Sequence, residues 1–176
     1  MVKGRALLMA GFISSLLGLA GCSSPITALD VVVSASGAAV AAVPILESLG
    51  VITDATGTTI VDYASAINTA AQSALTEEDS NDTPAQKAAK IVAAFSGIAV
   101  PAFGPTVGPE VRTLIQAITS AVSAFLAQVN DPKVMAMVAG KGVAKADEAR
   151  VRGMIAQTDR AARAWRELHP HPHPHP

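Results

Sequence analysis

The feature that most constrains the fold is a regular run of apolar residues between positions 111 and 129. They are spaced alternately by four and three residues, which places them along one side of an α-helix: Val111, Ile115, Ile118, Val122, Phe125 and Val129. A seam of this kind packs against another helix. The run from Thr113 to Asn130 carries no charge, so a membrane-embedded helix is the alternative. We favour a bundle helix because the opposite face, which would meet lipid, holds Gln116, Thr119, Ser120, Ser123 and Asn130.

Start signals predict three further helices around this one. Ser24-Pro25 pairs a capping serine with a proline suited to the first helical position. Gly108-Pro109 is the corresponding start of the helix that carries the apolar seam. The segment Thr83-Pro84-Ala85-Gln86 adds a capping box, in which the glutamine reaches back to the threonine. A last helix is predicted from Lys145 to Leu168, with acidic residues in its first turn and arginines toward its end.

Proline and glycine predict where the helices stop. Pro44 is expected to kink or end the first helix, and Asp54-Ala55-Thr56-Gly57 to form a turn. A helix from Thr58 or Thr59 to about Leu75 then follows, and the Pro101–Pro105 segment ends the next one. The residues expected to be buried are Leu29, Val33, Val40 and Val43; Ile60, Tyr63, Ala64, Ile67, Ala71, Ala74 and Leu75; Ala88, Ile91, Val92, Phe95 and Ile98; and Val151, Met154, Ile155, Ala162, Trp165 and Leu168.

Composition supports the same class of fold. Alanine makes up roughly a fifth of the chain, aromatic residues only 3 % and charged residues 15 %. Alanine has the strongest helix propensity, so the chain is predicted to be all-α, an Ala-rich bundle of about four to five helices. The only cysteine is Cys22, so no disulfide can form within the chain.

Charge is distributed unevenly along the chain. Residues 23–110 contain nine acidic and two basic side chains, whereas residues 111–176 contain nine basic and five acidic ones. This asymmetry either steers a partner or lets the two parts attract each other, and we favour the second interpretation. Basic residues do not cluster with aromatic ones, so no nucleic-acid partner is expected.

The first 21 residues have the layout of an export signal. Lys3 and Arg5 precede an apolar stretch from Ala6 to Leu19, which is too short to span a bilayer. The chain continues Leu19-Ala20-Gly21-Cys22, with its only cysteine last. This segment resembles the lipobox of bacterial lipoproteins, and the resemblance extends over about the first 24 residues. The alternative is an ordinary secretory signal with Cys22 as a buried small residue.

The resemblance implies an anchored protein. Cleavage would fall between Gly21 and Cys22, and the Cys22 sulfur would carry a diacylglyceryl group, with the new amino terminus often acylated as well. Two or more acyl chains hold a protein stably on a membrane. In bacteria with two membranes, an aspartate after the cysteine favours retention at the inner membrane. Ser23 occupies that position here, so the resemblance favours the outer membrane.

All four histidines lie in the C-terminal His-Pro repeat: His169, His171, His173 and His175. The helical body therefore lacks the usual general base, so no enzymatic activity is predicted. The repeat itself suggests a metal site. Alternating proline favours polyproline II, in which successive histidines point in different directions, so only a bent tail would chelate Zn²⁺, Cu²⁺ or Ni²⁺. A pH-dependent charged tail and an unstructured end are the alternatives.

These patterns divide the chain into a signal peptide (1–21), a lipidated anchor (22–24), a helical bundle (25–130), a flexible connector (131–144), an amphipathic helix (145–168) and a His-Pro tail (169–176). The expected function is a non-enzymatic structural or interaction module of the cell envelope. It would bind the membrane through its anchor, and a protein partner or a second copy through helix faces, with no cofactor besides the acyl groups. One alternative is a membrane-active protein whose segments Val31–Leu46 and Thr113–Asn130 insert. Another is a periplasmic lipoprotein that binds metal through its tail.

Overall fold

The fold is a bundle of helices. The computed structural model describes residues 25–78, 81–105, 107–134 and 145–170, and within these ranges it contains no strand. The helices are α1 (Pro25–Ser48), α2 (Asp54–Glu78), α3 (Pro84–Ser96), α4 (Pro109–Val129) and α5 (Lys145–Leu168). The predicted all-α class is therefore confirmed.

Helix α1 is the central element. It contacts α2, α4 and α5. Its buried residues cover one broad face, which includes Leu29, Ser36 and Val43, while Ala41 and Ile45 on the opposite side are exposed although they are apolar. Among the described residues, α1 is also the one helix long and apolar enough to cross a membrane, judged by length and composition. The core helix of a folded bundle has the same properties.

Helices α1 and α5 run parallel and define two ends of the bundle. Near their starts, Arg150 of α5 pairs with Asp30 of α1 at 2.9 Å. Beyond the end of α5, His169 contacts Glu47 near the end of α1 at 3.1 Å. We call the end where α1 begins the Pro25 pole and the end where α5 finishes the His169 pole. Since α1 has 24 residues, the poles lie about 36 Å apart.

The other helices alternate in direction. Helix α2 starts at the His169 pole, where Gly57 packs against the ring of Trp165. Helix α3 begins at the Pro25 pole, because its Lys90 pairs with Glu77 at the end of α2 at 3.2 Å. Helix α4 begins near the His169 pole, where a Cβ atom added to Gly108 would lie 3.9 Å from Val51 Cγ1. It then returns along α1 toward the Pro25 pole.

The predicted seam of α4 is buried as expected. Of its six residues, only Val122 remains partly exposed. Phe125 contacts Phe95 of α3 edge to face, with ring centroids 5.3 Å apart. On the same helix, Thr119 shares a hydrogen bond of 3.2 Å with the hydroxyl of Tyr63 in α2. Helix α4 is therefore joined to α3 through the seam residue Phe125 and to α2 through Thr119.

Ion pairs connect the acidic first part of the chain with the basic second part. Besides the contact of Arg150 with Asp30, the guanidinium of Arg166 lies 3.0 Å from the Asp62 carboxylate and also donates to Ser65. Both arginines belong to α5, and their partners belong to α1 and α2. These contacts support the interpretation that the two parts of the chain attract each other.

The beginning of α2 corrects one prediction. Asp54-Ala55-Thr56-Gly57 was expected to form a turn, yet these residues are the first turn of the helix. Thr53 caps it by accepting the backbone N–H of Thr56 at 3.3 Å, and the negative Asp54 is favourable at a helix start. Glycine is tolerated at position 57 of this helix because the absence of a side chain leaves room for the ring of Trp165, which lies where a Cβ atom would be.

Pro44 was expected to kink or end the helix. Helix α1 continues past Pro44 to Ser48, so it does not end at this proline. The proline removes only one backbone hydrogen bond. Val43 and Leu46 on either side of it are buried, and their packing maintains the helix. Helix α3 ends earlier than predicted, at Ser96, ahead of the Pro101–Pro105 segment. Its capping box forms as predicted.

Burial follows the predicted stripes with few exceptions. The named residues of α1 and α2 are buried, as are Ile91 and Phe95 of α3 and Val151, Ile155, Ala162 and Trp165 of α5. Ala88, Val92, Ile98 and Met154 are half-buried. Leu168 is 78 % exposed, so its predicted burial is wrong. Thr158 is buried instead, beside Gly37 of α1.

Several predicted features lie outside the described residues. These are the signal peptide, Gly21 and Cys22, most of the connector (135–144), and His171, His173 and His175 of the tail. The described part of the connector includes Asp131, whose carboxylate accepts the backbone N–H of Lys133 at 2.9 Å.

Candidate functional site

The candidate site is a group of three side chains at the His169 pole. It consists of Glu47 near the end of α1, Asp54 at the start of α2 and His169 just after α5. Their nearest ligand atoms, two carboxylate oxygens and an imidazole nitrogen, all lie within 4.8 Å of one another. Glu47 and His169 are half-buried and Asp54 is exposed.

A tight turn between α1 and α2 brings the two carboxylates together. Gly50 has a φ of 65°, the left-handed region that favours glycine. Its N–H donates to Glu47 O at 2.8 Å, and the N–H of Val51 donates to Leu46 O at 2.8 Å. This is a Schellman motif, which ends α1 and reverses the chain within a few residues. Asp54 therefore starts α2 next to Glu47.

The imidazole of His169 is held in a fixed orientation. Its ring stacks on Trp165 with centroids 3.7 Å apart and planes inclined by 19°. Its Nδ1 lies 3.0 Å from the backbone carbonyl of Trp165. A carbonyl oxygen only accepts, so Nδ1 carries the proton and donates. Nε2 then points at Glu47 Oε1, 3.1 Å away.

Hydrogen bonding between the carboxyl groups changes the acidity of Glu47. Its pKa lies above the usual 4.5, first because its side chain is hydrogen-bonded to Asp54 and then because it is partly buried, while His169 acts in the opposite direction. With Nδ1 as the donor, a neutral His169 presents a lone pair to a carboxylate. Such an arrangement requires a positive charge between the two, either a proton or a metal cation.

A groove on the side of the bundle is the second candidate. It lies between the segment that follows α3 and one face of α4, with a volume of about 580 Å³. Its lining is mostly apolar and includes Phe103, Ile115 and Arg112. The guanidinium of Arg112 donates to the carbonyls of Gly104 and Pro105 at 3.5 and 3.4 Å. It therefore fastens this segment to α4.

Sequence reasoning identified one residue of the site and missed two. His169 was a predicted metal ligand, whereas Glu47 and Asp54 were not singled out, because the prediction placed Asp54 in a turn and not at the start of α2. A usable signal lies in α5. Its buried residues, Val151, Ile155, Thr158, Ala162 and Trp165, alternate spacings of four and three. His169 follows Trp165 by four residues. It therefore continues the same pattern and is expected on the face of α5 that packs against the bundle.

Comparisons with protein-family models, with curated proteins and with solved structures find no match to this chain. The site is therefore interpreted from its own geometry.

Proposed function

We propose that this protein is a lipid-anchored component of a bacterial cell envelope that acts as a non-enzymatic structural or interaction module. The observation that carries the proposal is the position of Pro25. This residue is buried in the bundle and follows Cys22 by three residues. Three residues span about 10 Å at most, so an acylated Cys22 would keep the Pro25 pole next to the membrane.

With such an anchor, the His169 pole would lie far from the membrane. That pole carries three large apolar side chains exposed to solvent: Ile45, Leu49 and Leu168. Exposed apolar residues at one end of a tethered bundle fit contact with a protein partner or with a second copy. The outer membrane is the favoured location in a bacterium with two membranes, because Ser23 follows the cysteine.

A non-enzymatic role is proposed from the distribution of reactive side chains. Every histidine lies between positions 169 and 175, and the one cysteine is the proposed anchor. The interior of the bundle is formed largely by aliphatic residues and alanine. Such an interior supports packing rather than acid–base chemistry.

Metabolic labelling tests the anchor. Cells expressing the chain are grown with a palmitate analogue, and the purified protein is examined for label. We expect label on the wild type and on Ser23→Ala, the matched control, and none on Cys22→Ala. An unlabelled wild type, or label that persists in Cys22→Ala, would reject the proposal.

Membrane insertion is the second candidate function, and α1 is the observation that favours it, because its length and composition suffice for a span. Against it, α1 buries one broad face against three other helices and contains Asp30, whose carboxylate pairs with Arg150. A chain that starts at Ser23 distinguishes the two functions. The bundle predicts a monomeric, helical protein without detergent. A chain that requires detergent or releases dye from vesicles would favour insertion.

A further inference from the structure

We propose that Glu47, Asp54 and His169 form a binding site for a divalent transition-metal ion such as Zn²⁺. The inference goes beyond the predicted metal-binding tail, because two of the three ligands belong to the helical body and only one to the His-Pro repeat. It also does not depend on lipidation of Cys22.

The separation of the ligand atoms suits such an ion. Zn²⁺ binds imidazole nitrogen and carboxylate oxygen at about 2.0–2.2 Å, so neighbouring ligands of a tetrahedral site lie about 3.3 Å apart. His169 Nε2 and Glu47 Oε1 are 3.1 Å apart, close to this value. Asp54 lies within 4.8 Å of both and is exposed, so rotation of its side chain can bring an oxygen inward.

The surroundings of His169 are those of a metal ligand. A ligating histidine commonly donates its second ring N–H to a backbone carbonyl, which fixes the tautomer and the direction of the free nitrogen. Nδ1 donates to the Trp165 carbonyl at 3.0 Å, which leaves Nε2 for the ion. The ring is further held by stacking on Trp165, itself buried against Gly57.

The chemistry of the three ligands selects the class of metal. One imidazole with two carboxylates favours Zn²⁺ and similar first-row ions over Ca²⁺ and Mg²⁺, which prefer oxygen ligands only. Three protein ligands leave a fourth position for water or a further ligand. The ion would also connect α1, α2 and the end of α5.

Calorimetry with Zn²⁺ separates the proposed site from the tail. The full chain is purified in detergent, stripped with a chelator and titrated with ZnCl₂. A variant that combines His171→Ala, His173→Ala and His175→Ala retains only His169. We expect this triple variant still to bind one Zn²⁺ per chain and to show a higher Tm with the metal than without it, since an ion that binds only the folded state stabilises it.

Substitutions of the carboxylates identify the ligands. In the triple variant, Glu47→Gln and Asp54→Asn are each expected to weaken Zn²⁺ binding about tenfold or more, as loss of groups around a bound metal commonly does. Glu167→Gln removes a carboxylate from the same end of α5 and serves as the matched control, with unchanged affinity expected. Circular dichroism checks folding. If Glu47→Gln unfolds the bundle, the exposed Asp54→Asn decides the question.

Two results would overturn the proposal. The first is a triple variant with no saturable Zn²⁺ binding, which would mean that metal binds through the tail alone. The second is a folded Asp54→Asn variant with the affinity and the Zn²⁺-dependent rise in Tm of its parent, which would remove the helical body from the site.

Discussion

At the scale of single residues, the bundle depends on glycines at which helices approach each other. A Cβ on Gly37 would lie 2.8 Å from Thr158 Oγ1, and one on Gly57 would lie 2.6 Å from Trp165 Cζ2. Both glycines face α5. The close fit of α5 on α1 and α2 therefore requires the absence of a side chain at these two positions.

Gly57→Ala is predicted to destabilise the protein. Overpacking against the rigid indole of Trp165 is expected to lower the free energy of unfolding by about 1–3 kcal/mol. The better helix propensity of alanine offsets up to about 1 kcal/mol of this loss. The control is Gly153→Ala in α5, where an added Cβ meets nothing within 4 Å, so a gain of about 0.5–1 kcal/mol is expected. Urea unfolding measures both. Changes of the same sign would contradict the proposed fit at Gly57.

Asp30→Asn is predicted to have an effect that depends on pH. Burial raises the pKa of Asp30 above 3.8 more than Arg150 lowers it, and its Oδ1 is buried without a hydrogen-bond partner among the described residues. Because the folded-state pKa exceeds the unfolded value, ionisation of Asp30 costs stability. That cost is absent below about pH 3.8 and fully present above the folded-state pKa.

Thermal unfolding measures this effect. Asp30→Asn is expected to raise the Tm at pH 7 by up to about 3 °C, the shift that about 1 kcal/mol produces in a domain of this size. The gain should disappear below about pH 3.8. Asp62→Asn removes an exposed partner of Arg166 and should change the Tm little at pH 7. A fall in Tm for Asp30→Asn at pH 7 would show that the Arg150 pair outweighs the burial cost.

At the scale of helices, the alternation of spacings of four and three organises both α4 and α5. Ile118 is fully buried on the α4 seam, whereas Val122, the next seam residue, is half-buried. The pattern thus predicts which face is buried, while the neighbouring helices determine how deeply each residue lies.

Ile118→Ala is predicted to cost about 2–5 kcal/mol, the range for a large aliphatic side chain removed from a core. Val122→Ala removes less buried surface and should cost clearly less. Denaturant unfolding of the two variants tests the assignment of the seam. Equal losses would mean that α4 is rotated relative to the described packing.

The sequence predicted the helices well wherever capping and periodicity agreed. The Thr83–Gln86 box and the bounds Lys145–Leu168 are examples. It predicted the start of α2 poorly, because glycine at position 57 favours a turn by local propensity. The ring of Trp165, which packs on Gly57 and makes glycine suitable there, belongs to a helix about 100 residues later in the chain. The site shares this difficulty. Glu47 and Asp54 meet His169 only through tertiary packing, which local patterns do not encode.

At the scale of the whole molecule, the bundle has two different ends. The Pro25 pole follows the proposed anchor directly, and the His169 pole carries the three side chains of the proposed metal site and three exposed apolar side chains. The parallel arrangement of α1 and α5 creates this polarity, because it places the two termini of the described bundle about 36 Å apart. With the proposed anchor at Cys22, this arrangement would hold the His169 pole away from the membrane.

We propose that Cys22 becomes the acylated first residue of the mature protein. Intact-mass measurement of the protein recovered from the membranes of its native cells tests it most directly. We expect a chain that begins at Cys22, with the added mass of a diacylglyceryl group and, where the amino terminus is also modified, of one further acyl chain. A protein that retains Met1, or one that is trimmed at Cys22 and carries no fatty acid, would contradict it.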